Sequence, residues 1–343
     1  MKVKETLKKY AKRYFIDAMS AMALGLFATL IVGTILGQIG SYIPGTVGVF
    51  ITSVASIAKM LMGVGIGVGV AVKFKYSPLV TISAGVVGFL GAFSTSITNG
   101  TMFNGSSVVV TGVGDPLTAF IAAFIALEIG NLVSGKTKLD ILVTPVTTLT
   151  VGVLIATLCG PYISSVTTAL SEFIQFATYQ QPFVMGILIS VFMGIFLTLP
   201  ISSAAIALII GLSGIAGGAA VVGCSAQMVG FAVMSYRENK IGGLIAQGVG
   251  TSMIQMPNIV RKPIIWLPPI ITSAILGPIS TCVLKMTCDA SGAGMGTSGL
   301  VGQLVTYSSM VNSGVSEIVT VIEILIMHII APALITLVIC EGM

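Results

Sequence analysis

Residues 241–258 read IGGLIAQGVGTSMIQMPN, and the chain continues through IVRKP to Pro263. The stretch is apolar enough to enter a membrane, yet it carries Gln247, Thr251, Ser252, Gln255 and Asn258 among four glycines and a proline. A continuous spanning helix needs roughly 20 mostly apolar residues and does not spend them this way. Backbone that breaks at membrane depth is tolerated only where protein or a watery cavity satisfies its amides. We therefore expect 241–258 to be a re-entrant hairpin. A second segment has the same character: 290–308, ASGAGMGTSGLVGQLVTYS.

The rest of the chain supplies the membrane for these hairpins to enter. Of 343 residues, 55% are hydrophobic and only 8% charged. Soluble domains carry about 25% charged residues, so this chain is read as solvated by lipid. Its mean hydropathy of +1.07 agrees. Forty-one glycines suit close helix approach and broken helices.

Basic residues set the orientation. Lys2, Lys4, Lys8, Lys9, Lys12 and Arg13 stand against Glu5 before the first apolar run. The positive-inside rule puts that end in the cytoplasm, with the basic cluster an orientation signal rather than a nucleic-acid arm. Spans are expected near 17–39, 46–71, 78–97, 116–134, 141–159, 182–199, 201–216, 219–235, 264–284 and 316–339. These ten spans, with 161–180 lying along the outer surface, leave Lys73, Lys75, Lys136, Lys138, Arg237, Lys240, Arg261 and Lys262 on one side. Both termini are then cytoplasmic. Lys59 and Lys285 do not fit this pattern. The expected organisation is a scaffold over 1–160, a linker over 161–180 and a transport domain over 181–343.

Polar side chains in hydrocarbon are costly and mark sites. Gln255, Asn258, Thr297, Ser298, Gln303 and Gln227 are candidate ligands for a small polar solute, probed by amides, hydroxyls and freed backbone. Few formal charges accompany them, which fits a neutral, polyhydroxylated guest. Asn104 in the polar stretch 99–115, with Asp115, Glu128 and Asn131, is a candidate for gating or coupling. Asp115 before Pro116 is also a helix-cap signature. Glu128 and Asn131, three apart, share a helix face. His328, the only histidine, is read as a satisfied buried residue. No His/Cys cluster suits a metal and no Walker loop suits ATP, so neither a metal site nor any other cofactor is expected.

TSMIQMPNIVRKPIIWLPPIITSAILGPI (251–279) followed by GMGTSGLVGQ (294–303) resembles the IIC-type membrane proteins of the bacterial phosphotransferase system. RYFIDAMSAMALGLFATLIVGTILGQIG (13–40) and GVGDPLTAFIAAFIALEIGNLVSGKTKLDILVTP (112–145) point within it to the toxin-regulator branch, of the perfringolysin O regulator type. The resemblance implies an all-α polytopic permease of the cytoplasmic membrane. It also implies a homodimer, with a glucose-type elevator architecture and two hairpins holding a sugar-like solute. Phosphoryl transfer would fall to a separate cytoplasmic IIB protein, so the chain itself is expected to be a transport subunit and not an enzyme. Better-known sugar IIC proteins use a hairpin glutamate, and neither hairpin here contains one. Two other readings follow: a membrane sensor of toxin or other gene expression, and an ion-coupled carrier working without phosphorylation.

Overall fold

A computed structural model describes residue 13, residues 17–41 and residues 43–343. Lys2, Lys4, Lys8, Lys9 and Lys12 lie outside the described residues. The chain divides into two compact units, Met1–Val166 and Thr167–Met343.

In the first unit, α1 (Ala18–Leu26) and α2 (Val32–Ser41) are joined by a π-helical turn, Phe27–Ile31. Next come α3 (Gly45–Met60) and α4 (Met62–Lys73), bent by 53° at their junction. After them stand α5 (Pro78–Ala92), α6 (Pro116–Val133) and the start of the 39-residue α7 (Asp140–Thr178). Small residues set the packing. A Cβ placed on Gly63 would sit 2.2 Å from the Gly88 carbonyl oxygen, so α4 and α5 touch backbone to backbone. Without a hydrophobic force between helices in lipid, such close van der Waals contact is what holds them together. Val87, Ala122, Ala123 and Ala126 close the seam between α5 and α6.

The start of α6 is fixed by its first residues. Asp115 is the N-cap, and its carboxylate accepts from the Thr118 N–H at 2.5 Å and the Thr118 hydroxyl at 2.6 Å. Pro116 at the first helical position gives up no needed donor. Asp115→Ala is expected to cost about 1 kcal/mol, within the roughly 0.5–2 kcal/mol seen for cap removal. Thermal unfolding in detergent measures it, and an unchanged melting curve would contradict the cap.

The second unit is built around α9 (Gly214–Met234), 89% buried. Its glycines and alanines admit α8 (Pro182–Thr198) and α10 (Leu267–Pro278) at backbone distance. A Cβ on Gly223 would lie 1.9 Å from the Ser190 carbonyl oxygen, and one on Gly277 2.2 Å from that of Gly186. Ser190 Oγ donates to the Ser273 carbonyl at 2.8 Å across the same seam. Beyond it come α11 (Val301–Asn312), α12 (Glu317–Leu325) and α13 (Ala331–Gly342), the last two linked by a π-helical turn, Ile326–Ile330. Outward faces are apolar: Phe50, Ile82, Ile318 and Val338 are each at least 67% exposed, as lipid-facing side chains are.

The expected spans are met in part. Six described helical runs are long and apolar enough to cross: Leu24–Ser41, Pro116–Val133, Asp140–Thr178, Gly214–Met234, Pro263–Leu284 and Glu317–Gly342. The bent pair α3–α4 would make a seventh, and α5 and α8 are shorter apolar helices. The chain is thus an all-α polytopic membrane protein. Three expectations need correction. The span at 201–216 is only a seven-residue helix, Ser203–Ile209, because Gly211 and Gly214 turn the chain at positive φ. Residues 161–178, expected as a segment separate from the preceding span, continue α7, within which Pro161 is accommodated. The span at 78–97 stops at Ala92, and Ser94–Thr98 is a separate short helix. The stretch 99–115 holds a small hairpin, with Phe103 opposite Val108 and Asn104 opposite Ser107.

Candidate functional site

Both polar segments picked out in the sequence are broken. The first runs as a helix, Tyr236–Ile245, kinked at Lys240, then a π-helical turn, Ala246–Gly250. Thr251 is extended, and two short pieces follow, Ser252–Gln255 and Met256–Arg261. The second has a four-residue helix, Ala290–Ala293, a 3-10 turn, Ser298–Leu300, and then α11. Gly296 is at φ +53° with its missing Cβ 2.8 Å from Cys224, so conformation and space both demand glycine there. The two breaks meet: Ala246–Gly250 packs on Ser298–Leu300, and Ala246–Gly250 also lies on α9.

Side-chain amides run in series through the first segment. Asn258 Nδ2 donates to Gln255 Oε1 at 2.9 Å, Gln255 Nε2 to Gln247 Oε1 at 2.7 Å, and Gln247 Nε2 to Ser235 Oγ at 2.7 Å. Each link uses one donor and one acceptor, which fixes the direction of every amide. Gln255 and Asn258 border a cavity of about 490 Å³ over Phe231, Met234 and Ile265. Glu238, Asn239, Arg261 and Lys262 also line it. Deeper, Gln227 Oε1 accepts from Trp266 Nε1 at 2.9 Å, while Thr198 and Ser252 hydroxyls lie 2.9 Å apart.

The second segment brings Gln303 to α9 and to the turn before α13. Gln303 Nε2 lies 3.4 Å from Ser225 Oγ and 3.3 Å from His328 Nδ1. An amide nitrogen only donates, so Nδ1 accepts and the ring proton sits on Nε2. Thr297 Oγ1 donates to Met228 Sδ at 3.4 Å. Gln227 Nε2, Ser298 Oγ, Gln303 Oε1 and His328 Nε2 are all buried and lack a hydrogen-bond partner. Ser280 Oγ, Thr306 Oγ1, Thr320 Oγ1 and Glu323 Oε2 are in the same condition. Leaving such groups unpaired costs about 1–3 kcal/mol each, so Gln303 and His328, which touch each other, read as a place for a guest. Gln303 Oε1 is left to accept and His328 Nε2–H, on the far side of the ring from Gln303, is left to donate, so the two offer hydrogen bonds to separate groups.

Six proposed ligands therefore divide into sets. Gln255 and Asn258 border the cavity; Gln227 faces Trp266; Thr297, Ser298 and Gln303 gather at the second break. The gating candidates do not converge. Asn104 is exposed in the small hairpin, Asp115 starts α6, and Glu128 and the exposed Asn131 are near its other end. Thirteen helical residues separate Asp115 from Glu128, roughly 20 Å at 1.5 Å per residue. Glu128 Oε1 accepts from Arg13 Nη2 at 2.6 Å and from the Tyr76 hydroxyl at 2.8 Å, while Arg13 stacks 4.5 Å over the Phe74 ring. Burial, then the Glu128 carboxylate, push the Tyr76 hydroxyl above the usual tyrosine range, so it stays protonated as that donor. Arg13, expected only to orient the chain, thus also anchors α6.

His328, Ser225, Gln247 and Trp266 were not among the expected ligands. Gln247 is picked out among the polar residues of 241–258, and His328 and Trp266 are marked by rarity, one of each in an aliphatic chain, while Ser225 carries no such mark. Comparison with known proteins adds that residues 16–343 match the family model described as Phosphotransferase system, EIIC. No curated protein matches the chain.

Proposed function

This chain belongs to the phosphotransferase system EIIC family, and from that membership we propose how it carries its solute. Members of the family are multi-pass membrane transport subunits for sugar-type substrates, working with cytoplasmic partners of the system. We infer a neutral, sugar-like guest held by Gln303, His328, Ser298, Thr297 and Gln227, with Gln255 and Asn258 on its route. The observation that carries this reading is that Ser298 Oγ, Gln303 Oε1, His328 Nε2 and Gln227 Nε2 are buried, unpartnered and uncharged. A charged guest would need countercharges that this group lacks.

In this reading the two broken segments, 241–258 and 290–308, both dip into the bilayer within the second unit. That unit carries the solute as a rigid body by an elevator motion, and the first unit is the scaffold of a homodimer. Both termini face the cytoplasm, and a separate IIB protein supplies the phosphoryl group. The toxin-regulator branch remains part of the proposal on the strength of the quoted motifs.

Uptake into proteoliposomes of a panel of neutral hexoses, hexitols and amino sugars tests the proposal. We expect one member of the panel to enter, with a rate unaffected by protonophore or sodium ionophore. Folded protein that takes up none of them overturns the permease reading. Uptake that collapses with an ionophore overturns the uncoupled carrier in favour of an ion-driven one.

A further inference from the structure

The cavity beside the first broken segment has a different chemistry from the buried group around Gln303. Arg261 and Lys262 line it, both exposed, and neither has an ion-pair partner among the described residues. Glu238 is the one carboxylate in the lining, so the cations outnumber it. Cations at the end of Met256–Arg261 complement that short helix's own dipole. That alone does not account for a cavity of about 490 Å³ in which they stand beside Gln255, Asn258 and Asn239. Its volume lies within the range of small-molecule sites, roughly 300–1,000 Å³.

Each part of this lining restricts the occupant. A neutral solute has no use for paired cations. A bare inorganic anion has no use for the amide row or for the apolar floor of Phe231 and Met234. A molecule with both a doubly charged phosphate and a hydroxylated body uses all of it, because guanidinium and ammonium bind phosphate while amides bind hydroxyls. The amide row runs from Asn258 through Gln255 and Gln247 back to Ser235, the residue after α9, which also lines the cavity.

We propose that this cavity is a binding site for a phosphomonoester, the phosphorylated form of the carried solute. Its phosphate sits on Arg261 and Lys262 and its hydroxyls on Gln255 and Asn258. The identity of the hydroxylated body rests on the function proposed above; the phosphate site does not. The chain would thus hold neutral solute and phosphorylated product at two chemically distinct places.

Calorimetric titration of the full chain in lipid nanodiscs, with hexose phosphates, hexitol phosphates, the parent sugars and inorganic phosphate, tests this. At least one phosphomonoester is expected to bind more than tenfold tighter than inorganic phosphate. Arg261→Gln and Lys262→Gln are each expected to weaken it about tenfold, the loss of one charge-assisted contact. Both residues are exposed, so these variants fold. Three results overturn the proposal: no phosphomonoester binds, the double variant binds as wild type does, or inorganic phosphate binds as tightly as every ester. Failure of all neutral uptake alongside charge-dependent ester binding would sink the permease reading and leave this site standing.

Discussion

Gly223→Val is expected to leave no folded second unit. A Cβ at this position would come within 1.9 Å of the Ser190 carbonyl oxygen and 2.4 and 2.5 Å of its carbonyl carbon and Cα. All three are backbone atoms, so no rotamer change relieves the overlap. Only separation of α8 from α9 does, and that also pulls Ser190 from the Ser273 carbonyl and opens the Gly186–Gly277 contact. Ordinary overpacking costs about 1–3 kcal/mol. Here the cost is expected above that range, against a total stability of about 5–15 kcal/mol. Fluorescence-detected size-exclusion chromatography should lose the monodisperse peak. Gly242→Ala, where nothing stands within 4 Å, is the control and should keep it. A normal peak from Gly223→Val would contradict the close seam.

Gln303→Leu is expected to keep the fold and lose the solute. The side chain is nearly buried, with Nε2 shared between Ser225 and His328 and Oε1 free. Leucine is of similar volume, so packing changes little. It removes the hydroxyl acceptor and strands Ser225 and His328. Loss of such contacts is worth about 1–3 kcal/mol, or about five- to a hundredfold in affinity. Initial rates of uptake should fall accordingly while the melting temperature stays within a few degrees. Uptake within twofold of wild type would remove Gln303 from the site.

Hydropathy and charge revealed the all-α membrane character, and glycine with polar density revealed both broken segments. The Asp115–Pro116 cap was legible because capping is local chemistry. The short helix Ser203–Ile209 was not, because a buried short helix and a span are equally apolar, and only the φ of Gly211 and Gly214 tells them apart. The span expected over 141–159 runs on instead, since α7 continues through Pro161 to Thr178. The pairing of Gln303 with His328, 25 residues apart, and of Arg13 with Glu128, 115 apart, follows from packing that no spacing rule encodes.

The π-helical turn at Ile326–Ile330 has one more consequence. Its wider winding accommodates an extra residue, and each helical residue turns the chain by roughly 100°. Were that turn tightened to ordinary α geometry, α13 would rotate as a screw relative to α12. Thr336 would then swing off Thr272, whose hydroxyl it meets at 2.9 Å. The bulge therefore works as a phase shifter, aiming the last helix and the histidine inside the bulge together.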